Sequence, residues 1–183
     1  MVRVKGSVVR SSAIGVALGL DVRMPTGDPY NFLGSGGYGI KPFVAVSGKS
    51  KQLAPHANVA FQYNSTSVLA GDVMDGDKGK LPNQVQYVVG AEASITKRMT
   101  LAADVLGDYF HSQRVFSNPY QYAGGSFPGV RFATANLHIV NGSIGAKFNP
   151  VGRLLVTFNL LFKMNDMGLR APVVPLFAVS YTL

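Results

Sequence analysis

The chain has 183 residues, 47% of them hydrophobic and only 14% charged, with 21 Gly, no Cys and no Trp. Charged residues make up roughly a quarter of an ordinary soluble domain, so the usual solubilising coat is thin. The length suits a single domain, 1–183. Disulfides and thiolate metal sites are excluded, and no run of about 18 apolar residues could cross a bilayer as a helix.

In chain order, Val2, Val4 and Val8 read as a partial strand that began before Met1, followed by a turn near Arg10. Residues 13–24 alternate cleanly. Ile14, Val16, Leu18, Leu20, Val22 and Met24 share one side, and Ala13, Gly15, Ala17, Gly19, Asp21 and Arg23 the other. A period of two is a strand, and a slip of one residue would carry Asp21 and Arg23 into the apolar environment. A long Gly/Pro/Asp-rich loop, 25–37, leads to a strand at 38–47, with Tyr38, Ile40, Val44 and Val46 opposite Lys41 and Ser47. A short basic turn, 48–52, precedes 56–64, where Val59, Phe61 and Tyr63 oppose His56, Asn58, Gln62 and Asn64.

A second long loop, 65–82, carries Asp72, Asp75 and Asp77. Their spacing allows a calcium ligand set, but without flanking helices a solvated loop is the better reading, and no metal or other cofactor is expected. Strands 84–95 and 100–110 follow, joined by a tight turn at 96–98. The first sets Val85, Tyr87, Val89 and Ile95 against Gln84, Gln86, Glu92 and Ser94. The second sets Leu101, Val105 and Tyr109 against Asp104 and Asp108. A third long loop is predicted over 111–133. Residues 134–148 change phase midway, which predicts a β-bulge at 139–141. After a turn at 149–152, Leu154, Val156, Phe158, Leu160 and Phe162 define another strand, and a last one runs to the terminus with Phe177, Val179, Tyr181 and Leu183 on its apolar side.

Taken together, the bulky side of every strand is apolar, while the opposite side is small or polar in place of a Lys/Glu-rich surface. That inverted pattern, with connections alternating short and long, predicts an all-β, antiparallel up-and-down transmembrane β-barrel. Eight full strands plus a partial N-terminal one make an odd number. Since bacterial single-chain barrels have even numbers, the expected parent is a larger barrel with an N-terminal portion preceding Met1. The +8 net charge is dispersed, partly in short turns (Lys49, Lys51, Lys97, Arg98, Arg153), without a basic helix or stacking platform. This argues against nucleic acid as a partner.

The strand ending Asp21-Val-Arg-Met-Pro-Thr-Gly-Asp28, the strand start Ala54-Pro-His-Ala-Asn58 and the loop from Met164 to Arg170 resemble the MetA-pathway phenol-degradation, transporter-like family of bacterial outer-membrane barrels. The similarity runs from Val2 to the end and corresponds to the family's later strands. It implies a barrel that admits small aromatic or other hydrophobic compounds. The chain departs from the common barrel ending, an aromatic residue read by the barrel-assembly machinery: it ends in Leu183, with Tyr181 the nearest aromatic.

The polar side collects Asp21, Arg23, Lys41, His56, Asn58, Gln62, Glu92, Asp104, Asp108, His138, Lys147 and Lys163. These residues either line a pore, where charge sets selectivity, or cross-link strands and fill a narrow interior. Asp21, Arg23, Asp104 and Asp108 are the best candidates for a network. Tyr38, Tyr63, Tyr87 and Tyr109 fall on the apolar side near strand ends and suit an interfacial girdle, though Tyr is favoured in strands anyway. His56, His138, Ser94, Glu92 and Asp104 supply residue types for hydrolysis, yet neither GxSxG nor HExxH occurs, and no enzyme is expected.

The function expected is a passive outer-membrane channel or transporter for small solutes, hydrophobic or aromatic ones included, with outer-membrane lipid and the assembly machinery as partners. Alternatives are a soluble lipocalin-type barrel holding a hydrophobic ligand, or an outer-membrane barrel with a structural or hydrolytic role.

Overall fold

The structure, a computed structural model, describes the chain except residues 32, 72–76, 118–119, 123, 128–130 and 182–183. Nine strands form one antiparallel sheet: β1 (Val2–Arg10), β2 (Ile14–Arg23), β3 (Gly39–Gly48), β4 (Leu53–Asn64), β5 (Asn83–Thr96), β6 (Met99–Ser117), β7 (Arg131–Val151), β8 (Leu154–Lys163) and β9 (Val173–Tyr181). Each pairs with the next in chain order, the up-and-down meander that alternation and short turns call for. The sheet is not closed. β1 and β9 are its two edges and do not pair with each other. No described helix is long and apolar enough to cross a membrane.

Several boundaries differ from the sequence reading. β1 is a full partner of β2, with Val2 opposite Val22 and Arg10 opposite Gly15, and it slips register between Ser7 and Val9. That slip keeps both Val4 and Val9 on the apolar side. β4 begins at Leu53, because Ala54 and Pro55 already pair with Glu92 and Ala91.

The loop predicted over 111–133 is largely strand. The β6–β7 ladder continues out to Ser117 opposite Arg131, and a small ribbon, Tyr120–Tyr122 with Gly125–Phe127, lies beyond it. A stretch so rich in Gly and Pro reads as a loop by composition, which conceals the pairing of the residues around it. In the second long loop, Thr66–Ser67 pairs with Gly79–Lys80 and a 3₁₀ turn spans Val68–Ala70. The Asp72 and Asp75 positions, like Leu183, lie outside the described residues.

The predicted bulge at 139–141 is absent, and its place is taken by a register shift between Ala135 and Leu137. On the partner strand, Ser112 adopts φ 57 and its amide donates to the Asn136 side chain. Leu137 and Ile139 therefore face the same side as Phe110 and Asp108, and with Phe110 they make an apolar corner there. Strict alternation could not anticipate it.

Burial is inverted with respect to a soluble sheet. A globular protein of 19.5 kDa exposes about 8,500 Å², whereas this chain exposes 12739 Å². Leu18, Phe61 and Phe158 are 49%, 47% and 45% exposed, while Asp21 on the opposite face is only 2% exposed. Among the described residues the buried apolar side chains are Ala17, Phe43, Ala60 and Val68, and the first three lie on the polar face. The sheet thus has a sheltered polar side and an uncovered apolar side.

Candidate functional site

The polar face is built by register. Asp21 lies opposite Arg3 on β1 and Lys41 on β3, Gln86 opposite Ala60 and Asp108, and Asp104 opposite Gly90 and Ser143. Because side chains alternate, residues matched across successive ladders share one face. By this test Asp21, Arg23, Lys41, His56, Asn58, Gln62, Glu92, Asp104, Asp108, Lys147 and Lys163 are all on the sheltered face.

His138 is not. It pairs with Tyr109 and accepts or donates a 3.1 Å bond with the Tyr87 hydroxyl, its ring 6.0 Å from both tyrosine rings on the apolar side. The correction follows from the bulge. With the slip at 135–137, even-numbered residues of β7 from His138 onward face outward.

The sheltered charges form cross-strand pairs over small residues. Arg3 Nε and Nη2 donate to the two oxygens of Asp21 at 2.6 and 2.7 Å, and Lys41 Nζ lies 3.3 Å from Asp21 Oδ2. Lys41 also reaches across Ala60 to Gln86 Oε1, 3.2 Å away, and Gln86 donates to Asp108. His56 Nε2 meets Asp104 at 2.8 Å, skipping over β5 where Gly90 leaves the path open. A Cβ at Gly90 would collide with the Asp104 carboxylate and the Ala103 carbonyl. Lys147 and Glu92 pair at 2.5 Å across β6. Arg23 donates to Asn64 across Gly39, and Asn64 accepts from Gln62, which in turn accepts from Gln84. Of the four residues expected to form a network, Asp21, Arg23 and Asp104 are held in separate clusters, and Asp108 joins that of Asp21 through Gln86. Reach over a small neighbour decides these contacts, since strands two apart are about 9.6 Å from each other.

Aromatic rings fill the places where glycine leaves backbone bare. Phe43 covers Gly19 on the polar face, and Tyr87 and Phe162 cover Gly107 and Gly142 on the apolar face, each directly opposite its glycine in the ladder. Tyr38, Tyr63 and Tyr109 are exposed on the apolar side at the long-connection end of the sheet.

Two residues outside the sequence-derived site organise it. Arg3 completes the Asp21 cluster, and the alternation of Val2 and Val4 around it is the signal that could have placed it on the polar side. Arg170 was visible only as part of a recurrent loop piece. Its guanidinium donates to Val140 O and Asn141 Oδ1 at 2.9 and 2.5 Å, and to both the carbonyl and the side chain of Asn165. Asn165 in turn accepts from the Val140 amide and donates to His138 O. These bonds cap the β7 edge where β8 leaves it. In the same loop, the hydrogen bond from Lys163, helped by the Lys163 and Arg170 charges, holds the Asp166 carboxyl below its ordinary range.

Among the described residues no group of His, Cys, Asp or Glu is arranged to hold a metal ion. Comparison with protein-family models and with curated proteins gives no match.

Proposed function

We propose that this chain forms part of the wall of an outer-membrane β-barrel that passes small, hydrophobic or aromatic solutes through a polar-lined interior. The single observation that carries this reading is the inverted burial: a half-exposed stripe of Leu, Val, Ile and Phe on one side of every strand, backed by a sheltered face of paired charges. In water such a surface is unfavourable, since each apolar Å² left uncovered forgoes about 25 cal/mol. Against hydrocarbon it is the favoured face. A lipocalin-type barrel would instead turn Leu18, Phe61 and Phe158 inward, and their exposure speaks against it.

Dimensions support the same reading. From Val85 to Ile95 the outward side chains of β5 cover about 34 Å of strand, or roughly 26 Å of height at a tilt of ~40°, against an apolar band of ~25 Å in such barrels. Tyr38, Tyr63 and Tyr109 would edge that band, with their hydroxyls at the headgroup level. Lipid does not tolerate unpaired edges, so in this reading β1 and β9 pair with further strands. The resemblance of residues 21–28, 54–58 and 164–170 to transporter-like barrels points to aromatic or hydrophobic solutes.

The test is fractionation followed by planar-bilayer recording. The protein is expected in the outer-membrane pellet, with heat-dependent gel mobility and discrete conductance steps. A monodisperse protein in plain buffer that gives no conductance would defeat the proposal.

A further inference from the structure

We propose that the recess between Arg3, Lys41, Phe43, Asn58, Gln86 and Val88 is a binding site for a small monoanion whose charge is carried on an apolar body, such as an aromatic carboxylate. The inference deepens the conduit reading and rests on it for the site's access to solute, but the site's own chemistry is independent of conduction.

Charge balance is the first argument. Two cations, Arg3 and Lys41, converge on one carboxylate, Asp21, which is almost fully buried. Those three groups therefore carry one positive charge in excess, and the next carboxylate, Asp108, reaches Lys41 only through the neutral Gln86. Gln86 supplies Lys41 with a neutral acceptor only, and its own amide nitrogen is committed to Asp108. Arg3 spends two of its five N–H donors on Asp21, and its side chain is 55% exposed. Donors thus remain for an incoming carboxylate.

The lining is the second argument. Phe43 is the one aromatic among the buried apolar residues described. It sits over Gly19 with Arg3 5.4 Å from its ring centroid. With Ala60 and Val88 it gives the recess an apolar floor, and the Asn58 amide stands at the wall. A purely ionic site would not need such a floor, and a purely apolar one would not keep two cations. The recess is about 130 Å³, far below the roughly 300–1,000 Å³ of pockets for drug-sized ligands, so a single ring or short chain is the size it suits.

The surrounding field is the third argument. The polar face of β1–β3 carries Arg3, Lys5, Arg10, Arg23 and Lys41 against Asp21 alone, while the carboxylates Glu92, Asp104 and Asp108 lie on β5 and β6. A wall of one sign raises the local concentration of the opposite ion, so anions are drawn to the side where the recess lies.

The experiment is isothermal titration of the detergent-purified full protein with benzoate, its neutral analogue benzyl alcohol, and acetate, with benzoate block of conductance recorded in parallel. Benzoate is expected to bind at least about tenfold more tightly than either comparison ligand, because one lacks the charge and the other the ring. Lys41→Gln leaves Asp21 paired with Arg3 but removes the excess charge, and should weaken benzoate about tenfold or more; Lys41→Arg should restore it. Equal binding of benzoate and benzyl alcohol, or no binding of benzoate by the wild type, overturns the proposal without recourse to any variant. Benzoate binding without conductance would defeat the conduit reading and leave the site standing. Conductance that benzoate neither blocks nor binds would do the reverse.

Discussion

Asp21 is the residue on which the sheltered face turns. It is buried, and its two oxygens are shared by Arg3 and Lys41. Removing Asp21 leaves Arg3 and Lys41 without the carboxylate they share, so Asp21→Ala should lower the unfolding midpoint in urea. Arg3→Ala, at a half-exposed side chain, should cost less.

Gly90 is a second such position. Gly90→Val sets a Cβ against the Asp104 carboxylate and the Ala103 carbonyl, and should destabilise by about 1–3 kcal/mol while parting His56 from Asp104. A thermal melt compared with Gly124→Val, where nothing lies close, isolates the steric cost.

Asp166 tests the electrostatics in the open loop. Its folded value is depressed by Lys163, so the stability it contributes is present above the ordinary carboxylate pKa and is lost as pH falls through the lowered folded value. Lys163→Gln should move the Asp166 titration upward by NMR. A titration that stays in place would show the contact to be unimportant in solution.

At the scale of elements, the β7–β8 ladder ends on the backbone bond from Met164 N to Val140 O, and side chains hold the β7 edge beyond it. Asn165 supplies the acceptor and donor that a continuing strand would give to the Val140 amide and the His138 carbonyl, and Arg170 adds bonds to the Val140 carbonyl and the Asn141 side chain. Asn165→Ala should leave the Val140 amide unprotected, raising its hydrogen-exchange rate while residues 142–148, paired with both neighbours, stay slow. If Val140 stays equally slow, the backbone alone holds that edge. The bulge at Ser112 is the other element-level device. A left-handed backbone costs a non-Gly residue roughly 1–2 kcal/mol, so Ser112→Gly should be neutral or stabilising and Ser112→Val should not.

For the whole molecule, the discriminating substitution is on the apolar side. Val59 lies in the middle of β4, about half exposed. Val59→Arg should cost roughly 2–4 kcal/mol if that face meets the bilayer midplane, and close to nothing if it meets water, where single surface changes stay within about 0.5 kcal/mol. Unfolding from lipid vesicles measures the difference.

What the sequence determined by itself was the strand order and which side of most strands is polar. Alternation is a local property of the chain, and each strand carries its own phase. Asp21, Lys41, His56 and Asp104 were therefore assigned to the correct face before any partner was known. Tertiary structure decided what alternation does not encode. His138 turned outward because the register slip of β7 is set jointly with Ser112 on β6, so the phase of one strand depends on the backbone of another. The partners of the polar face were likewise undetermined, since His56 finds Asp104, and Lys147 finds Glu92, by reaching over a strand to a residue about fifty positions away. Whether the meander closes was also beyond the sequence, because closure depends on curvature accumulated over all nine strands, and β1 and β9 remain edges.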